Sequence, residues 1–154
     1  MRHESSRAPV PARVAAARAD YVLDDQVGFL LRLAMQRHTA IFSRRMIEEL
    51  TQTQFAALAK LIEVGRCSQN QLGRRISLDA ATIKGVVDRL VARGLVTAVS
   101  DAKDRRRRAV ALSEHGRNVM EAARPVAAEI TAATLAPLAD DERQAVVRLL
   151  KKLA

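Results

Sequence analysis

The sequence predicts a mostly α-helical chain with one small β hairpin, and three observations carry that prediction. Long stretches repeat apolar residues at a spacing near 3.6, the period of amphipathic helices. Helix-start signals stand at the heads of several of them: Thr51 with Gln54, Ser68 with Gln71, and Asp79, each able to satisfy free N–H groups of a first turn. Leu95 to Val99 and Ala109 to Leu112 read instead as strands, joined by SDAKDRRRR, in which Asp101 and Asp104 suit a turn.

Taken in order, residues 1–20 are rich in Arg, Ala and Pro without sustained apolar periodicity. They read as a disordered basic tail, with a DNA-touching arm as the sharper alternative. Tyr21 introduces a first helix from about Asp25 to Glu49, with Asp24 near its cap. At about 100° per residue, Val27, Leu30, Leu31, Ala34, Ile41 and Phe42 form one stripe, while Phe29, Leu33, Ala40 and Ile47 form another roughly opposite. Two apolar faces need two partners, the protomer's own core and a second subunit, because leaving either wet forfeits about 25 cal/mol per Å² of apolar area. His38 and Arg45 interrupt the first stripe and share one face of the helix.

The next helix runs from Thr51 to Gly65 and is expected to bury Phe55, Leu58, Ala59 and Ile62. A brief helix follows Ser68. Ser77, Leu78 and Asp79 make a tight corner, and Asp79 caps a helix whose Ile83, Val86, Val87, Leu90 and Val91 fall on one stripe before Gly94 ends it. The opposite face, Ala81, Thr82, Lys84, Gly85, Asp88 and Arg89, is small or hydrogen-bonding, the kind of face a groove accepts. Mid-helix glycine costs about 1 kcal/mol against alanine, so Gly85 suggests close approach of another surface. Beyond the hairpin, Ser113 opens a long segment with Val119, Met120, Ala123, Ala127 and Ile130 as apolar positions, which Pro125 is expected to kink or restart. Pro137 and the acidic Asp140, Asp141 and Glu142 mark a final helix whose stripe is Val146, Leu149, Leu150 and Leu153. A short helix, a corner, a second helix with a small polar face and a basic hairpin are the parts of a winged helix-turn-helix.

The order LTQTQFAALAKL, LGRRISLDAATIKGVVDRLVARGLV, DAKDRRRRAVALSEHG resembles the MarR family of bacterial transcription regulators, from about Leu23 to the C-terminus. DRR followed by a strand is its most specific piece. The resemblance implies one winged helix-turn-helix domain over residues 21–154, with 21–50 and 114–154 as dimerisation helices interlocked across a two-fold axis and 51–113 as the DNA-binding lobe. The implied partner is double-stranded DNA, bound by a homodimer at a palindromic operator with two recognition helices about one DNA turn apart. Thr82, Lys84 and Arg89 are expected at bases or phosphates, Ala81 and Gly85 at close approach, and Ser68 and Gln69 at the DNA backbone. Arg106 resembles the family's wing arginine in the minor groove, Asp104 the acid that orients nearby arginines, and Arg105 a further contact. Strand alternation means that Arg105, Arg107 and Arg108 cannot all face DNA, so some must serve the protein or the phosphates. The stretch YVLDDQVGFLLRLAMQRH further resembles members that control degradation of aromatic acids, particularly nicotinic acid. That implies a repressor released by a small aromatic carboxylate such as a nicotinate derivative, with His38 as ring donor, Arg45 as carboxylate partner and Tyr21 closing the mouth.

Composition bounds the alternatives. With 154 residues, 49% hydrophobic and 28% charged, the chain is long enough for one domain with a real core. Lys and Arg number 26 against 17 acids, giving +9 and a pI near 10.9, a balance that favours a polyanionic partner. At 3% aromatic residues and no Trp, a basic architectural nucleic-acid-binding module without an effector is the weaker alternative. Cys67 is the single cysteine, which excludes an internal disulfide and any multi-cysteine metal site, while its place near a helix start leaves a redox-responsive repressor as another alternative. No apolar run approaches the about 18 residues of a membrane span and no secretory block opens the chain, so a cytoplasmic location is expected. The three histidines are scattered, and no phosphate-binding glycine loop, HExxH or nucleophile elbow occurs, so no catalytic residue, metal or cofactor is expected.

Overall fold

Local capping chemistry sets where four of the helices begin. The computed structural model describes residues 21–100 and 108–154, in two units that divide after Gln36. In the first unit a 3₁₀ turn, Leu23–Asp25, precedes helix α1 (Val27–Arg45), which continues into the second. In the second unit, reciprocal bonds of 3.1–3.2 Å between Thr51 and Gln54 open α2 (Gln52–Val64). The same exchange between Ser68 and Gln71 opens α3 (Gln69–Arg75). Asp79 opens α4 (Ala80–Ala92) with Oδ1 accepting from Thr82 N and Oδ2 from the Thr82 hydroxyl, both at 2.8 Å. Ser113 opens α5 (Glu114–Leu135) and, after a turn, α6 covers Asp140–Leu153.

The sheet has three antiparallel strands where the sequence suggested two. β1 (Cys67–Ser68) pairs with β3 (Arg108–Leu112), which pairs with β2 (Val96–Ser100), so the order is β1-β3-β2. Cys67 stands opposite Val110, and Val96 opposite Leu112. A two-residue strand is too short to announce itself by alternation, and only its pairing with β3 defines it.

Leu58, Leu72, Ile83, Leu90, Leu95, Val110 and Met120 bring α2, α3, α4, the sheet and α5 to one core. Two glycines let backbones close on it. A Cβ on Gly73 would meet Ile83 Cγ2 at 3.0 Å and the Leu78 carbonyl at 3.1 Å, so α3 and α4 meet closely across the corner, where Ser77 turns with φ 56. A Cβ on Gly116 would lie 2.0 Å from the Leu95 oxygen. There Ser113 Oγ donates to the Gly94 carbonyl at 2.6 Å and accepts from Gly116 N at 2.9 Å, locking the head of α5 to the end of α4.

Several boundaries and faces differ from expectation. α1 ends at Arg45 rather than near Glu49, because Glu48 and Glu49 adopt left-handed backbone (φ 55 and 49) and Arg93 clasps the Glu48 carbonyl. The buried face of α2 is Gln54, Ala57, Leu58 and Leu61, while Ile62 is exposed. Gln54 belongs inside because its Oε1 accepts from Thr51 N and from Arg93 at 3.4 Å, so the face shifts toward the N-terminus. Val91 on α4 is at the surface. α5 continues through the exposed Pro125 as one helix and does not restart there, the proline removing one hydrogen bond on a water-facing side. Of the apolar residues on α1 only Phe42 is buried, so both predicted stripes are largely exposed along the described chain. Among the described residues no helix is long and apolar enough to cross a membrane.

Candidate functional site

The outer face of α4 carries Ala81, Thr82, Lys84 and Arg89 at the surface, with Gly85 half-buried under the Arg89 guanidinium, which lies 3.4 Å from where a Cβ would stand. Two of these side chains are already engaged. Thr82 directs its hydroxyl proton to Asp79 Oδ2, which leaves only acceptor lone pairs for another partner. Lys84 Nζ donates to Asp88 Oδ2 at 2.7 Å. Ser68 is tied up as a cap, and Gln69 is half-buried with its amide oxygen enclosed without a hydrogen-bond partner among the described residues. Asp104, Arg105 and Arg106 lie outside the described residues, as does the basic tail.

Arg108 settles one of the arginine assignments. It occupies the same strand face as Val110 and Leu112, both buried, and its NH1 donates to Asp88 Oδ1 at 2.5 Å. Arg108 therefore serves the protein. Lys84 first, and Arg108 second, hold the Asp88 carboxyl below the usual carboxylate range. Asp88 was legible as part of the outer face, and its i,i+4 spacing from Lys84 was the available signal. Its bond to Arg108 joins residues that sequence spacing does not relate.

A cavity of about 220 Å³ lies within the second unit, lined by His38, Phe42, Gln52, Phe55, Ala127, Ile130 and Thr131. Phe42 and Phe55 meet edge-on at 6.2 Å between centroids, and His38 tilts against Phe42 at the same distance. The Thr134 hydroxyl donates to the Ile130 carbonyl at 2.8 Å, so at its 2.9 Å contact with His38 it accepts from Nδ1–H. In the neutral ring that assigns the lone pair to Nε2. Arg45 is exposed in the last turn of α1 and is not among the described lining, and Tyr21 is exposed in the first unit. Phe55, Ala127 and Ile130 were legible in the sequence only as apolar helix positions, and Gln52 and Thr131 carried no signal, since no spacing connects any of them to His38.

Cys67 is half-buried in β1, and burial pushes its thiol above the ordinary range despite the nearby Arg75 charge. That is the opposite of an activated thiolate.

A capped two-helix corner whose second helix stands exposed beside a small sheet is the arrangement of a winged helix-turn-helix protein built to bind duplex DNA. Residues 50–107 match the MarR family profile. The HTH-type transcriptional repressor NicR of Pseudomonas putida is 39% identical over 149 residues, covering 96% of this chain and 94% of that one. A probable transcriptional regulator from Pseudomonas aeruginosa superposes with a TM-score of 0.82 at 50% identity, over 86% of this chain and all of that one. BpsR of Bordetella bronchiseptica, whose DNA binding is described as regulated by 6-hydroxynicotinic acid, superposes with a TM-score of 0.80 at 41% identity, over 86% of this chain and 96% of that one. The chain belongs to the MarR family of transcription regulators, a family of DNA-binding regulators rather than of enzymes.

Proposed function

We propose that the chain is a homodimeric repressor that binds a palindromic operator in the cytoplasm and is released from it by a small aromatic carboxylate, first among them a nicotinate derivative. The observation that carries the effector is the cavity on His38. Its 220 Å³ falls below the about 300–1,000 Å³ of drug-sized ligand pockets and suits a single-ring acid between Phe42 and Phe55. His38 Nε2 is the group offered to the ring substituent, and the reading does not depend on Arg45 or Tyr21. The kinship with NicR and BpsR supports the choice of ligand class. Operator contact is assigned to Thr82, Lys84 and Arg89 with Ala81, Gly85, Ser68 and Gln69, and to Arg105 and Arg106 with Asp104 in the wing. To release DNA the acid must bind the DNA-incompetent arrangement more tightly than the competent one, since equal affinity shifts nothing.

Calorimetric titration with nicotinate and its hydroxylated derivatives tests this. At least one acid should bind and lower operator affinity, and His38→Ala should weaken its binding about tenfold, about 1.4 kcal/mol. Absence of binding by every acid, or binding and DNA release that survive His38→Ala unchanged, removes the site assignment.

A further inference from the structure

We propose that Asp88 is a specificity-determining residue, one carboxylate that restrains Lys84 of the recognition helix α4 and Arg108 of the wing strand β3 and so suppresses sequence-independent DNA binding. The inference rests on the reading of α4 and the wing as the DNA surface. Its geometry is divided cleanly: Oδ2 accepts from Lys84 Nζ at 2.7 Å and Oδ1 from Arg108 NH1 at 2.5 Å. The two cations come from different elements, and no other described ion pair joins α4 to the sheet.

The halves of the bridge differ in strength. The Lys84 side chain is 65% exposed, so its helical i,i+4 pair is well screened and readily surrendered to a phosphate. The Arg108 side chain is 30% exposed and lies on the strand face shared with Val110 and Leu112, so its bond is the better shielded and fixes the base of the wing relative to α4. Lys84 and Arg108 together hold the carboxyl ionised through the neutral pH range.

Two consequences follow for a DNA partner. Any phosphate approaching Lys84 or Arg108 must compete with Asp88 and meets its negative charge, a penalty paid on every sequence. On the operator, base-edge contacts that need α4 and the wing in fixed register offset it; on other sequences nothing does. A built-in unfavourable element of this kind widens the difference between correct and incorrect partners.

The test uses the full chain, the duplexes it selects from a random-sequence pool, and a scrambled duplex of equal length. In Asp88→Asn, binding to the scrambled duplex should tighten several-fold at low salt. Its log–log salt slope should steepen by about one to two, at about 0.9 per additional phosphate contact. The ratio of selected to scrambled affinity should fall about tenfold, within the about 10³–10⁷ range such ratios span. Asp88→Glu should retain the native slope. Arg108→Gln, which breaks only the strand half and removes a cation, should narrow the ratio without steepening the slope. An unchanged ratio and slope in Asp88→Asn overturns the proposal, as does equal tightening on both duplexes. Should circular dichroism show Asp88→Asn unfolded, Arg108→Gln decides alone, and an unchanged ratio overturns it. A native chain that selects no duplex at all would instead remove the DNA-binding reading itself.

Discussion

Gly116 shows how much one residue can decide. A methyl group there would lie 2.0 Å from the Leu95 oxygen and 2.9 Å from its carbon, both backbone atoms that a rotamer change cannot move. Gly116→Ala should therefore push α5 away from the α4–β2 junction and destabilise the fold by about 2–3 kcal/mol, read as a lower urea midpoint. A midpoint within error of the native one would mean that the junction yields cheaply. In the sequence this glycine reads only as part of the SEHG run, because a steric demand set by a carbonyl 21 positions away has no local signature. His38 is the converse case. Its interruption of an apolar stripe was visible, but which nitrogen holds the proton follows only from Thr134, a residue on another helix.

At the scale of elements, the caps were the most legible feature. Thr51, Ser68 and Asp79 each cap the helix assigned to them, because an N-cap bond is made within three residues and needs no tertiary partner. Asp79 yields a pH prediction. The Thr82 backbone N–H first, and the Thr82 hydroxyl second, lower its pKa in the folded chain. A group depressed on folding adds stability that is present above its unfolded pKa, about 3.9, and is lost as pH falls through the folded value. Asp79→Ala should lower Tm by about 2–4 °C at pH 7, and the gap should close in acid below pH 4. A gap independent of pH would show that the carboxylate is not the stabilising form. What elements concealed was phase: Leu61 and Gln54 face inward on α2 where Ile62 was expected, because Arg93 reaches across to Gln54 and rewards burying an amide.

For the whole molecule, the unfinished business is apolar surface. Val27 at 67% exposure, with Leu30, Leu31, Leu33 and Met35, leaves the N-terminal part of α1 wet on more than one side. On α6, Leu153 at 72%, Leu149, Leu150 and Val147 are exposed as well. Such patches mark surfaces awaiting a partner, in keeping with the proposed homodimer. The chain should sediment at about twice its 16.9 kDa mass at micromolar concentration. Leu150→Glu should shift it toward monomer and weaken operator binding in parallel. A native chain that sediments as a monomer at all concentrations would sink the dimer.

Periodicity, caps and the basic hairpin determined from sequence that this is a winged helix-turn-helix chain, since those signals arise from bonds and burial repeating within a few residues. The tertiary structure alone decided that Cys67 joins the sheet opposite Val110, that Arg108 turns inward to Asp88, and that Phe55, Ile130 and Thr131 complete a wall beside His38. Each of these unites residues far apart in the chain, and the free energy of such contacts exists only once the core has brought their elements together.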